Sequence, residues 1–573
     1  MNGLGARYGW SLRPPAPVSA ELAAAAHTRG LADRFVRLLA ARGMTSAEQL
    51  AGLLDEPLRG LHDPRRLPDA DVFARRVGTA LERGERVLVF GDFDADGLTG
   101  LACLVLALRR LGLDAAPYVP DRSEEGHGLS LAAVELARAE DRQLVITVDT
   151  GTSSIDEIAA ARAAGIDVLV TDHHRVTAAL PAALAVVNPH RPGASYPERE
   201  LAGAGVAFKL AQLLLGDAAL ELADLAAIGT IADVAPLVGE NRAIVRLGLD
   251  RLRRAPRPGL AALLSSSDEE RARLDVDGIA YGLAPRLNAI GRVGDAALAG
   301  RLLLTNDPLE AAALADQLRT ANSLRRELTA GALAEARASL EGSTGPVAVT
   351  AGEWPIGIIG LVAGRLAEER GVPAVVFSTL AQPWRGSARS GGDFDLAAAF
   401  AGLADLFERY GGHSAAAGCQ LPAANYAEFE RRFAALADGR PPTVPTLVVD
   451  LVVDALDVDY RLQRELVLLE PTGAGNPAPL VGIRGLTVAR ARPAAGGHTQ
   501  LVLRKGREVV DGICFGRDDL VERLTEGDAI DVLARLASRT FGGYESIQLE
   551  VRDVAPAGAL AALSAGQPAV AHA

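Results

Sequence analysis

Three apolar runs end on acids. VLVF (Val87–Phe90) leads into GDFDADG with Asp92, Asp94 and Asp96, QLVITV into Asp149, and DVLVT into Asp172, His173 and His174. Helical sequence separates them, LTGLACLVLALRRLG after the first and IDEIAAARAAG after the second, and a further short strand, AVVNPH, follows the third. Short apolar strands alternating with helices build βαβ units and a parallel sheet. In such sheets ligands bind outside the carboxyl ends of the strands, which is where these polar residues fall.

Carboxylates packed as closely as Asp92, Asp94 and Asp96 repel one another, and a divalent cation with oxygen-preferring chemistry is the simplest way to offset the repulsion. The letters also fit the first half of an EF-hand loop. That reading fails because the twelfth position counted from Asp92 is Cys103 where a bidentate Glu is required, and because a strand, not a helix, precedes the acids. A polar turn capping a helix that starts near Leu98 is an alternative reading for Asp92 alone, not for all three acids.

At 573 residues the chain is too long for one core, and two to four domains are expected. Residues 1–86 read as a helical region punctuated by RPPAP and LHDPRRLPD, 87–304 as the α/β catalytic domain, and 305–344 as a long connecting helix. Residues 345–440 read as a second α/β domain. The segments TLVVDLVV, IRGLTVARARP, TQLVLRK, EVVDGICF, DAIDVLARL and SIQLEV, within 445–555, are six short strands suited to a small barrel of OB type, an architecture that binds single strands. The tail 556–573 is low in complexity and expected to be disordered.

The net charge of −13 is unusual for a protein that meets nucleic acid through nonspecific attraction. Part of it would sit in the metal site, and Arg484–Arg552 carries slightly more basic than acidic residues. Only Lys209 and Lys505 among the 59 basic residues are lysine, which a GC-rich genome explains better than phosphate recognition does. Cys103, Cys419 and Cys514 are far apart and form no C-x-x-C pair, so neither a disulfide framework nor a zinc site is indicated. No apolar run is long enough to span a bilayer and MNGLGARYGW lacks a signal-peptide layout, so a soluble cytoplasmic protein with no membrane partner is expected.

Four motifs gain meaning when read together: Asp94 and Asp96, Asp149 in TVDTG, His173 and His174 in TDHH, and Asp233 in TIADVAP. Alone, a strand-end Asp is more often a cap and adjacent histidines are as readily a surface pair. Combined, they bring carboxylates and imidazoles to one sheet edge in proportions suited to Mn²⁺ or Mg²⁺. Two such ions can hold an attacking hydroxide and stabilise a leaving oxygen in phosphoester cleavage.

FGDFDADG, TVDTG, TDHH, TIADVAPL, PRLNAIGR and RYGGHSAAAG, with EEGHGL at 124–129 and EPTGAGNPAP at 470–479, resemble in order the motifs of the DHH phosphoesterase superfamily, specifically the RecJ single-strand DNA exonucleases. The resemblance covers roughly Asp55 to Glu550. It implies an α/β protein with a DHH parallel-sheet domain and a DHHA1-like domain joined by a long helix, followed by an OB-fold barrel. It also implies processive 5′→3′ digestion of single-stranded DNA to mononucleotides in bacterial repair and recombination. Two divalent cations, Mn²⁺ or Mg²⁺, are implied as cofactors. Single-stranded DNA, a single-strand-binding protein and a repair helicase are the implied partners, and a monomer is expected.

Carried over by position, Asp94 resembles a ligand of one metal, Asp96, His173 and Asp233 ligands of the other, and Asp149 the bridge. His174 would face the scissile phosphate, and Asp172 would orient an imidazole. Asn288, Arg292, Ser387, Arg389 and His413 resemble the groups that hold the strand's phosphates and terminal nucleotide. The chain departs from common family residues at Phe90 (often His), His127 (often Tyr) and Pro355 (often His). Two other functions share parts of this pattern: a small-substrate DHH enzyme acting on pyrophosphate, very short oligonucleotides or cyclic dinucleotides, and a non-catalytic scaffold that binds DNA. The segment after Thr446 speaks against the first, and the presence of all five ligand residues against the second.

Overall fold

The computed structural model describes residues 4–122, 125–176, 179–264, 267–541 and 544–565. Glu124 of the EEGHGL motif and residues 566–573 of the tail lie outside them. The chain forms two compact units, one of residues 57–443 with 473–475, the other of residues 4–56 with 444–472 and 476–565.

The larger unit begins with a five-stranded parallel sheet in the order Asp114–Tyr118, Arg86–Gly91, Leu144–Val148, Asp167–Thr171, Ala185–Val187. Its central strands are apolar along most of their length because both faces are covered. Val87, Val89, Ile146 and Leu169 point into the layer of Leu101, Leu104, Leu108 and Phe208, while Leu88, Phe90, Val145 and Val168 point into the layer of Val134 and Ile158. The edge strand Asp114–Tyr118 is a short segment containing Pro117 that the sequence pattern does not reveal; proline is tolerated at an edge. The first and third strands in chain order are neighbours and the second lies outside them. Chain direction across the sheet therefore reverses between Arg86–Gly91 and Leu144–Val148, the switch point at which such sheets bind ligands.

The connecting helix runs Pro308–Ser339, with Asp307 accepting from Leu309 N–H at its start. Ala311, Leu314, Ala315, Leu318 and Ala321 belong to the core of the parallel-sheet domain, whereas Ala332 and Ala336 belong to that of the next domain. That second domain is a mixed sheet ordered Arg409–Gly412, Ala416–Leu421, Trp384–Arg389, Ala374–Ser378, Ala348–Gly352, with only the last two strands parallel.

In the smaller unit, five strands close a barrel: Val481–Ala494, His498–Lys505, Glu508–Cys514, Tyr544–Pro556 and Ala529–Phe541, the last pairing back onto the first. The expected first strand, TLVVDLVV, is not part of this closure. It divides into Leu451–Val453, which adds to the barrel edge, and Thr446–Val449, which pairs in parallel with Gly9–Leu12. The expectation of one helical region over 1–86 is likewise corrected. Leu22, Phe35, Leu38, Leu39 and Leu50 share a core with Val481, Leu501 and Val551 of the barrel, while residues from Pro57 onward belong to the larger unit. The tail is not irregular from 556, since Ala559–Ser564 is helical with Leu560 buried.

Candidate active site

Asp94 is the N-cap of the helix Ala95–Arg110, its Oδ1 accepting from Asp96 N–H and Gly97 N–H, each at 3.0 Å. The capping role thus belongs to Asp94, not Asp92, and the helix starts before Leu98, at Ala95. Asp96 is buried and held by the first turn of a second helix, Gly203–Leu215: its Oδ2 accepts from Gly203 N–H at 2.7 Å and its Oδ1 from Ala204 N–H at 2.8 Å. Asp149 follows its strand in the left-handed region (φ +60°), a conformation aspartate tolerates better than most side chains. Gly203 lies against it; a Cβ at Gly203 would stand 2.6 Å from Asp149 Cβ and 2.7 Å from its carboxylate.

His173 Nε2 is 3.0 Å from Asp149 Oδ1 and 3.8 Å from Asp96 Oδ2, and its Nδ1 is 3.8 Å from Asp233 Oδ2. Three sets could hold a metal ion, each offering ligand atoms within 4.8 Å of one another: Asp96, His173 and Asp233; Asp92, Asp94 and Asp149; and Asp149, His173 and His174. Asp149 and His173 are the members that recur, so the first two sets are joined through the contact between these residues. Asp149 Oδ1 is buried without a hydrogen bond of acceptable geometry. Burial, reinforced by the neighbouring carboxylates, pushes Asp94, Asp96 and Asp149 upward, and Asp233 to about 6. Crowded oxygen donors with no thiolate, one of them buried and not hydrogen-bonded, fit oxygen-preferring divalent cations.

Asp172 organises the adjacent loop. Its Oδ1 accepts from His173 N–H at 2.7 Å and His174 N–H at 3.1 Å, and its Oδ2 from Thr152 N–H at 2.9 Å. The imidazole it orients is that of His174, whose Nδ1 lies 2.8 Å from Oδ1. Burial alone would raise Asp172, but these bonds hold it at about 2; the same contact, opposed by desolvation, lifts His174 to about 9.

Beside the acids lies a group of arginines, Arg122 and Arg292 among them near enough to feel Asp94. Arg292 donates to Gly357 O at 2.9 Å while its Nε is buried without a partner, and Arg389 donates to Ser387 Oγ at 3.2 Å. Burial, together with repulsion from Arg122, Arg325 and Arg389, lowers Arg292 to about 10. Burial also lowers Arg122, against the pull of Asp92 and Asp94, and it lowers Arg389, which further feels Arg122. The members come from both domains and from the connecting helix, so this pocket exists only where the three meet. Clustered, partly buried guanidiniums are suited to an anion.

Two expected substrate groups stand differently. Asn288 Oδ1 accepts from Ala95 N–H at 2.6 Å, bracing the acidic loop. His413 is exposed at a hairpin turn, its N–H donating to Ala416 O at 2.8 Å, close along the sheet to Arg389 but outside the arginine pocket's hydrogen bonds. Phe90 stacks on Tyr118 in an apolar layer. Sequence reasoning left open whether Asp92 joins Asp94 in holding a metal, and the structure groups it with Asp94 and Asp149; it missed the partner His127 (Nδ1 at 3.2 Å) and Arg122 over the Phe93 ring. Asp92 was visible as the first acid of its run; Arg122 carried no signal, since in a chain this rich in arginine only folding distinguishes it.

Family models match as the DHH family N-terminal domain over residues 86–230, the DHHA1 domain over 344–438 and the RecJ OB domain over 449–553. The single-stranded-DNA-specific exonuclease RecJ of Bacillus subtilis is 34% identical over 90% of this chain and 67% of its own length. That of Salmonella typhimurium is 33% identical over 91% of this chain and 95% of its own. The crystal structure of RecJ from Thermus thermophilus in complex with Mn²⁺ superposes with a TM-score of 0.81 at 32% identity, covering 96% of this chain and 79% of that one. Its Mg²⁺ complex gives 0.76. The chain belongs to the RecJ family of the DHH phosphoesterases.

Proposed function

We propose that this chain removes mononucleotides from the 5′ end of single-stranded DNA by hydrolysis that requires two divalent cations, Mn²⁺ or Mg²⁺, as part of DNA repair and recombination. The observation that carries this reading is the adjacency of two opposite sites, the crowded acids around Asp149 and the clustered guanidiniums of Arg122, Arg292 and Arg389, two of which feel Asp94. A terminal phosphate among the arginines brings the next phosphodiester toward the acids, so digestion proceeds from an end and one nucleotide at a time.

Asp92, Asp94 and Asp149 would hold one cation, and Asp96, His173 and Asp233 the other, with Asp149 shared. When bound, such cations activate water and offset charge on the phosphate. Within the chain, Asp172 keeps His174 protonated and oriented toward the scissile linkage, where it donates a hydrogen bond to the phosphate or a proton to the departing 3′ oxygen. Arg389, with Ser387 and Arg292, grips the terminal phosphate.

The test follows a 5′-labelled single strand in Mn²⁺. Labelled mononucleotide as the first product, abolished by chelation, is the expected result, and a ladder of internal fragments would refute exonuclease action. Arg389→Ala should penalise 5′-phosphorylated strands more than 5′-hydroxyl strands, because only the former lose a charge-assisted pair. Equal penalties would remove the terminal-phosphate role from Arg389.

A further inference from the structure

Tyr281 is 81% exposed, more than any other aromatic among the described residues that stand out as exposed and apolar. It sits in a π-helical turn, Gly278–Leu283, that runs directly into the helix Ala284–Val293 carrying Asn288 and Arg292. The same turn packs against the helix Ala223–Ala232, which ends at Asp233. A π-helical turn inside a helix is rare and is found frequently at functional sites.

The spacing gives this ring a direction. Tyr281 precedes Asn288 by seven residues and Arg292 by eleven, two and three helical turns, so the three share one face. The wider turn rotates Tyr281 from that line by only roughly a tenth of a turn. Along this face, Arg292 stands at the arginine pocket and Asn288 beneath the acidic loop, its Oδ1 2.6 Å from Ala95 N. Tyr281 comes next, about 10 Å beyond Asn288. The order is terminal phosphate, scissile linkage, aromatic ring. At the next residue, a Cβ at Gly282 would meet no atom within 4 Å, so the neighbouring position is open as well.

We propose that Tyr281 is a stacking platform for a nucleobase on the 3′ side of the scissile linkage. The proposal rests on the 5′-end reading above, which sets the order along the helix. Stacking on a phenol ring uses the π-face common to all bases, so the contact holds the strand without reading its sequence.

The test uses the full chain, 5′-phosphorylated single strands of about twenty nucleotides, and the variants Tyr281→Ala, Tyr281→Phe and Tyr281→Trp. Loss of a base stack should lower kcat/KM on the order of ten-fold in Tyr281→Ala, mainly through KM, with Phe and Trp restoring it. A binding readout without turnover is 2-aminopurine placed singly at successive positions from the 5′ end, in metal-free buffer. Fluorescence should be quenched at one position 3′ of the first linkage in the wild type, Phe and Trp proteins and not in Ala. Tyr281→Ala with unchanged kcat/KM, or with the quenching intact, would overturn the proposal. A wild-type protein that leaves single strands intact would instead overturn the exonuclease reading; the two failures are distinguishable because the first requires a wild type that cuts.

Discussion

At the residue scale, Asp149 concentrates the charge problem of the site, because its buried carboxylate lies against Asp92 and Asp94 on one side and His173 on the other. Asp149→Asn removes one charge from both neighbouring sets. The rate should fall by at least ~10³-fold if shared charge stabilisation supplies several kcal/mol of the barrier reduction. Single-strand binding, measured by anisotropy, should survive; in metal-free buffer the variant should unfold no lower than the wild type, since a strongly repelled carboxylate has been removed. Near-normal Mn²⁺-dependent cleavage would exclude the bridging role. His174 yields a pH prediction. Its folded pKa is raised from 6.5 to about 9, chiefly by the Asp172 hydrogen bond, so its contribution to stability is fully present below 6.5 and is lost as pH rises through 9. More than half of the side chain is exposed, so solvent screening keeps the effect modest. The metal-free protein should lose thermal stability between these values, and His174→Gln, which cannot titrate, should lose less. Parallel melting curves for both proteins across that range would show that the pair does not stabilise the fold. In sequence, Asp94, Asp96, Asp149, His173 and Asp233 stand out because they follow strand or helix ends in motifs. Only the fold shows that Asp149 Oδ1 is buried and not hydrogen-bonded, since that depends on what four distant segments place around it.

Among the elements, what the sequence made legible was set by local pattern. The apolar runs of the parallel sheet, the connecting helix and most barrel strands announce themselves because their periodicity is carried within a few residues. What escaped depends on partners distant in sequence. Asp114–Tyr118 becomes a strand by pairing with Arg86–Gly91, and Thr446–Val449 leaves the barrel to pair with Gly9–Leu12. The close approach of the helix Gly203–Leu215 to the acids was equally hidden. Its first N–H groups hold Asp96 while Gly203 makes room for Asp149, so one helix end sets the positions of acids that follow two different strands. Gly203→Ala forces either the helix or Asp149 to move. Overpacking of this kind costs typically about 1–3 kcal/mol. Activity should fall by more than that destabilisation accounts for, because a displacement on the order of 1 Å at a reacting site can cost ~10²-fold. Titration of Mn²⁺ by calorimetry should show weakened binding. A variant with lowered melting temperature but unchanged Mn²⁺ affinity and kcat would confine Gly203 to packing.

For the whole molecule, the division into two units alters how the barrel must be tested. An OB barrel supplies a sequence-tolerant track for several nucleotides, and its contribution matters most for strands long enough to reach it. By sequence alone, removing residues from 445 onward isolates that contribution, yet the barrel's core continues into the N-terminal segment, where Leu22, Phe35, Leu38 and Leu39 are all buried with it. Deleting the barrel alone would leave these side chains in water. Each large apolar residue so exposed costs about 1.5–3 kcal/mol of burial, and a patch of several is an aggregation liability. The C-terminal deletion should therefore aggregate, whereas residues 57–443, which also lack the N-terminal segment, should remain monodisperse by light scattering. With that fragment, kcat/KM on short oligonucleotides should stay near the full chain's value, and the gain with strand length should be lost. Its binding should also depend less steeply on salt, because fewer phosphate contacts release fewer counterions. If the fragment and the full chain instead gave parallel curves of kcat/KM against strand length, with equal salt slopes, the barrel would hold no part of the strand, and substrate length would be measured entirely within the unit that carries Asp149 and Arg389.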